Sequence, residues 1–245
     1  MKVEVKIVNA FTKDGQGGNP AAIVLDADRF TTDQKQEIAR LVGLSETAFV
    51  GKSAVASFKL DFFTPNRQIA HCGHATIATF SYLLQQSMIV DKEKISKETI
   101  DGVREIRIEG GEIYMQQKAP VFTPVSGNER LKVIHSAGLV PGEVIDITIC
   151  NTGNSFVLIE VDKAATLAGL IPDHSAIKLL SESYRAIGFY PFVRTSQETH
   201  DAIARMFAPF YGIEEEAATG MAAGPLACYL HLGERDKTRF TIEQG

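Results

Sequence analysis

Apolar residues at the start of the chain fall on alternate positions: Val3, Val5 and Ile7 are separated by Lys2, Glu4 and Lys6. That period of two is the period of a half-buried strand, so the chain is expected to open on one. Lys13 to Pro20 reads as a glycine-rich turn and Ala21 to Leu25 as an apolar strand. Thr31 and Gln34 have the spacing of a capping box, which predicts a helix through Ile38, Leu41 and Val42 with Gly43 as its stop. Strands are expected over 48–50 and 57–63. From Ala75 to Leu84 the run is apolar on every side, unlike a surface helix, and predicts a helix enclosed by strands. A second series follows, with strands near 105–108, 113–117 and 156–161, a helix near 164–170 and an extended run over 186–193. It closes on another all-round apolar helix from about Ala222 to His231, with Pro225 near its first turn, where a missing N–H is tolerated. The Pro-, Gly- and Ser-containing stretch 118–130 reads as the crossover between the two series.

The least common segments occur twice and in the same order. Asp61-Phe62-Phe63-Thr64-Pro65, then Cys72-Gly73-His74-Ala75 and a run ending Tyr82-Leu83, is echoed by Arg205-Met206-Phe207-Ala208-Pro209, Thr219-Gly220-Met221-Ala222 and Tyr229-Leu230. Gly18-Asn19 before Ala22 to Leu25 is likewise echoed by Gly153-Asn154 before Phe156 to Ile159. Widely spaced matches of this kind imply two copies of one fold, expected as domains 1–118 and 119–245, with a ligand cleft between them.

Composition narrows the function classes. The 245 residues, 44% of them hydrophobic, can bury a normal core. A formal net charge of -5 without a clustered Lys/Arg surface argues against a nucleic-acid partner. The mixed charges of 91–98 are expected to form a solvated face. Three cysteines, no signal-peptide pattern and no apolar run of roughly 18 residues point to a protein of the reducing cytoplasm with no membrane partner.

Ser45-Glu46-Thr47 sits between a helix stop and a strand. A carboxylate held there against Leu44, Ala48 and Phe49 would bind its proton more tightly than in water, as a general base working near neutrality requires. The plainer alternative is a surface glutamate or a cap. Gly73-His74 and Gly220-Met221 each open an apolar helix, whose free N–H groups suit a carboxylate without an arginine; alternatively, glycine only permits the tight entry. His71-Cys72-Gly73-His74 does not have the four paired ligands of a structural zinc site, and the matching Ala218 to Met221 adds none, so no metal is expected. Gly15-Gln16-Gly17-Gly18 reads as a turn, since it has neither a P-loop Lys-Ser/Thr nor dinucleotide spacing. Of Glu214-Glu215-Glu216, Glu216 is the candidate second carboxylate, next to Thr219.

Taken together, Asn9-Ala10-Phe11-Thr12, Gly18-Asn19-Pro20-Ala21-Ala22, Leu44 to Phe49, Phe63-Thr64-Pro65, Cys72-Gly73-His74-Ala75-Thr76 and Phe207-Ala208-Pro209 resemble the PhzF-like proteins, over nearly the whole chain. The resemblance implies an α+β, diaminopimelate epimerase-like fold of two similar domains, each an open β-barrel around a central helix, and a homodimer. It implies Glu46 as general base and Asn19, Gly73, His74, Glu216, Thr219, Gly220 and Met221 around the substrate. The family's Glu-Asp-Pro-Ala-Thr-Gly-Ser is here Glu215-Glu216-Ala217-Ala218-Thr219-Gly220-Met221, so the phenazine enzyme's own substrate is not carried over. Family members continue past the segment matching Gln244-Gly245 into a last strand, so the expectation is either that the sequence is truncated there or that an edge of the fold is left unpaired. Related epimerases use two cysteines, at the positions of Cys72 and Thr219. A threonine hydroxyl without an activating partner is too weak a base for that role. The expectation is therefore a cofactor-independent isomerase of a small anionic metabolite. A binding protein without turnover and an epimerase using Cys72 are the alternatives.

Overall fold

The computed structural model describes residues 2–91, 94–195 and 199–245. The chain forms two compact units, Met1–Gln116 and Gln117–Gly245. The first contains strands β1 (Lys6–Ala10), β2 (Asn19–Val24), β3 (Thr47–Gly51), β4 (Phe58–Phe63), β5 (Gln68–Ile69), β6 (Ile95–Thr99), β7 (Gly102–Glu109) and β8 (Glu112–Met115), with helices α1 (Thr32–Val42) and α2 (Gly73–Gln85). Its sheet runs β1-β2-β3-β4-β6-β7-β8, with β5 paired to β4. Strands β2 and β3 are parallel, as are β4 and β6; the other neighbours are antiparallel.

Helix α2 touches both β1 and β8, the two ends of that order, as well as β2 and β3. A sheet whose ends meet one helix must curl around it, and this is the half-barrel that an all-round apolar helix requires. Ala75, Ala78, Phe80 and Leu83 are fully buried inside it. Each of the two larger side chains contributes roughly 1.5–3 kcal/mol by leaving water. On the sheet's other side, α1 packs Ile38 and Ala39 against Val24, Phe49 and Phe63. Its ends are those the sequence predicts: Thr31 and Gln34 close a capping box, and Gly43 ends the helix at φ 72°.

The second unit holds β9 (Val121–Pro124), α3 (Gly127–Ser136), β10 (Val144–Asn151), β11 (Ser155–Val161), α4 (Ala164–Ala168), α5 (His174–Tyr184), β12 (Gly188–Arg194), β13 (Ala202–Ala204), α6 (Gly220–Gly233) and β14 (Ile242–Gln244). Its sheet runs β14-β13-β12-β11-β10-β9, with β14 at an edge. Helix α6 lies on β10 and β11 and buries Met221, Ala222, Pro225, Leu226 and Leu230. Its other flank is half-buried, so this helix is less enclosed than α2.

Three expectations need correction. The first strand begins at Lys6, later than predicted; Val3 and Val5 pack toward α1 while Ile7, beyond that cluster, is 63% exposed. The segment 91–98 is not a solvated face: Ile95 and Lys97 are buried in β6, and of this segment Lys92 and Glu93 lie outside the described residues. The strands near 105–108 and 113–117, expected in the second series, belong to the first unit as β7 and β8.

Candidate functional site

Two backbone features bring three chemically capable side chains together in the first unit. The parallel pairing of β2 with β3 is extended by one bond, Ala22 N–H to the carbonyl of Glu46 at 3.1 Å, which fixes Glu46 at the entry to β3. Cys72 is the N-cap of α2, and Gly73 and His74 are that helix's first residues. Glu46 and His74 are thereby buried, at 7% and 4% exposure, with Oε2 of Glu46 3.3 Å from Nε2 of His74. The ring's other nitrogen, Nδ1, lies 3.6 Å from Sγ of Cys72. The surface-glutamate alternative is thus removed.

Burial sets the protonation state of the imidazole. It pushes the pKa of His74 down from 6.5 to about 4, against the opposing pull of a hydrogen bond with the Pro20 backbone. His74 is therefore neutral at pH 7, and Glu46 stands beside a neutral ring instead of an imidazolium. A neutral ring has one N–H and one lone pair, so it can donate on one side and accept on the other. The Cys72 side chain makes no capping bond to α2, and no acidic residue occupies the helix's first turn. The helix dipole consequently places uncompensated partial positive charge beside this pair.

Glu46, Cys72 and His74 offer donor atoms within 4.8 Å of one another, the number a three-ligand metal centre would need. Yet the imidazole stands between the other two, each facing a different ring nitrogen. These contacts use both ring nitrogens, whereas a coordinated ion would draw on one of them together with the carboxylate and the thiolate. The cysteines differ in the same way. Burial pushes the thiol of Cys150 up to about 12 and also raises that of Cys228, which leaves Cys72 as the thiol at a helix N-terminus beside a histidine.

Of the other predicted positions, Asn19 is buried as the first residue of β2, next to Pro20. Gly18 delivers it through a turn with φ +79°, where an added Cβ would stand 2.3 Å from the Ala10 carbonyl oxygen. In the second unit the three consecutive glutamates part company. Glu214 is exposed, Glu215 forms a two-pronged ion pair with Arg205 at 2.7 and 2.8 Å, and Glu216 accepts the Thr219 hydroxyl. Thr219 therefore has a carboxylate partner, contrary to the expectation of a hydroxyl without one. Thr219 is the N-cap of α6, Gly220 its first residue, and Met221 is buried behind them. Gln244 of β14 braces this entry: its Oε1 accepts from the Thr219 N–H (3.1 Å) and the Tyr190 hydroxyl (2.9 Å), while its Nε2 donates to the Glu216 carbonyl (2.6 Å). Gln244, Pro20 and Lys97 were not singled out from sequence. For Lys97 the signal was present, since Ile95, Lys97 and Thr99 share one face of a period-two strand.

Among known proteins, the family model described as phenazine biosynthesis-like protein, PhzC-PhzF, matches residues 8–245. The chain is 31% identical to the uncharacterized isomerase YfhB of Bacillus subtilis, over 100% of this chain and 86% of that one. It is 30% identical to the trans-2,3-dihydro-3-hydroxyanthranilate isomerase of Pseudomonas chlororaphis, over 96% of this chain and 81% of the relative. The crystal structure of a PhzF-family phenazine biosynthesis protein from Bacillus anthracis matches with a TM-score of 0.89 at 31% identity, covering 100% of this chain and 87% of that one. A hydroxyproline epimerase from Agrobacterium vitis shares the fold alone, with a TM-score of 0.59 at 11% identity, over 98% of this chain and 79% of that one.

Proposed function

Because the chain belongs to the phenazine biosynthesis-like PhzC-PhzF family, whose relatives include named isomerases, we propose that it is a cofactor-independent isomerase moving a proton on a small carboxylate-bearing metabolite, with Glu46 as the single acid/base. The observation that carries this is the buried Glu46 carboxyl 3.3 Å from an imidazole held neutral by burial. A neutral ring does not neutralise the carboxylate as an imidazolium would, so the carboxylate stays available to take a proton.

In the forward step a Glu46 oxygen forms an O–H bond as a C–H bond next to a double bond or carboxylate breaks. The electron pair left on carbon shifts along the conjugated system, and the same carboxyl returns the proton at its far end. Atoms and charge balance without an added oxidant or reductant. His74 stands against the carboxyl with Nε2, and the uncapped start of α2 meets the substrate's negative charge. General base catalysis of this kind is worth about 10²–10⁴-fold in rate.

One contact favours a second reading, an epimerase in which the Cys72 thiol carries the proton: Sγ lies 3.6 Å from Nδ1 of His74. The protein incubated in D₂O with a fractionated mixture of cellular carboxylates separates the two. A metabolite that gains deuterium and changes its double-bond position supports the isomerase. Gain of deuterium with inversion at one carbon supports the epimerase, and the absence of exchange, double-bond migration and inversion in every fraction would defeat both.

A further inference from the structure

Lys97 is a buried amine to which the chemistry above assigns no part. It belongs to β6, is 0% exposed, and its Nζ meets three acceptors: Oγ1 of Thr76 at 2.6 Å, Nδ1 of His71 at 3.1 Å and Sδ of Met115 at 3.4 Å. An ammonium has three N–H donors, so this cage offers each of them an acceptor. The ring of Phe62 in β4 lies 5.3 Å from Nζ. The charged groups around it come from α2 and from the β6–β7 turn. Burial pushes the Lys97 pKa down from the usual lysine range to about 7; Cys72 favours the charge, Arg104, its partner across the β6–β7 ladder, opposes it, and Asp101 favours it while pairing with Arg104. A lysine without a carboxylate in contact is costly to bury, and packing alone would be served as well by Met or Leu.

The cage faces the site. His71 directly precedes Cys72, and the Thr76 hydroxyl that accepts from Lys97 itself donates to the Cys72 carbonyl at 2.5 Å. The chain of bonds from Lys97 through Thr76 to Cys72 therefore grips both sides of the turn that presents Cys72, Gly73 and His74. We propose that Lys97 is a positioning residue for the Glu46–His74 site, a buried amine that ties His71 to Thr76, holds the first turn of α2 and, in its charged form, sets the Cys72 thiol in a positive field. The assignment rests on reading Glu46 and His74 as the proton-transfer pair. The field and the tether do not depend on turnover, so they can be tested without a substrate.

Alkylation of Cys72 by iodoacetamide, followed by mass spectrometry of the Cys72 peptide as a function of pH, reads the field directly and ignores Cys150 and Cys228. Lys97→Met keeps the length of the side chain and removes the charge. The midpoint of the Cys72 profile is expected to rise by about one pH unit, with an alkylation rate roughly tenfold lower at neutral pH. A midpoint unchanged in the folded variant, or a rate raised at every pH by loosened packing, overturns the proposal. If Lys97→Met does not fold, the reciprocal coupling decides: the NMR titration of the Lys97 amine is expected to shift to lower pH in Cys72→Ser, and an unshifted titration refutes the field. Failure of the D₂O exchange with an intact Cys72 shift would sink the isomerase reading and leave the role of Lys97 in the turn standing.

Discussion

The neutrality of His74 has a measurable consequence for stability. Its pKa falls from 6.5 to about 4 on folding because the ring is buried, with the Pro20 hydrogen bond working the other way. Above pH 6.5 the ring is neutral in both folded and unfolded chains, and its contribution is fully present. As the pH drops the unfolded chain takes up the proton first, so stability is lost between 6.5 and the folded value near 4. The limiting slope is about 1.4 kcal/mol per pH unit, and the whole interval corresponds to about 3 kcal/mol, a large share of an ordinary domain's stability. Urea unfolding followed by circular dichroism, from about pH 7.5 to about 4.5, should show this loss in the wild type and a shallower loss in His74→Asn. The difference between the two curves isolates the ring from the acidic groups that titrate in both. Parallel curves, separated by a constant to within ~0.5 kcal/mol, would refute the assignment of a neutral buried imidazole.

Three further outcomes are expected. Cys72→Ser should keep most of its exchange activity if Glu46 carries the proton, and complete loss in a folded variant would move that role to the thiol. Gln244→Leu removes the brace on the α6 entry and should cost roughly 1–3 kcal/mol by thermal unfolding, since it leaves the Thr219 N–H and the Tyr190 hydroxyl without their acceptor; an unchanged Tm would show the bonds to be dispensable. Gly18→Ala should destabilise the first unit by at least ~1 kcal/mol, because φ +79° is unfavourable for alanine and its Cβ would meet the Ala10 carbonyl. A variant as stable as wild type would show that this turn can relax.

Much of the first unit is written into local pattern. The capping box at Thr31, the stop at Gly43 and the all-round apolar α2 each follow from rules acting within one or two turns. Glu46 was legible for a similar reason, as a carboxylate set among apolar neighbours between a helix and a strand. What brings it to His74 was not, because the contact depends on the parallel register of β2 with β3 and on where the N-terminus of α2 meets it. Lys97 was misplaced since its neighbours Glu98 and Lys94 suggest a charged surface, whereas the strand's alternation turns Lys97 inward with Ile95. The second unit is less legible: β10, with its run Val144 to Asn151, has turn residues before and after it but also Asp146 and Thr148, which blur the apolar signal of a core strand. Gln244 acts from the far end of the chain, and no local pattern marks such a residue.

The central claim is that the Glu46 carboxyl carries the proton. Replacing it by the isosteric amide, Glu46→Gln, preserves shape and burial while removing the basic oxygen. Wild type and variant should be compared in D₂O on the carboxylate that the wild type labels, with binding of that same compound followed by calorimetry. The expected result is deuterium incorporation lowered by about 10²–10⁴-fold with binding nearly unchanged. A folded Glu46→Gln protein that labels the compound within about tenfold of the wild-type rate would contradict the account.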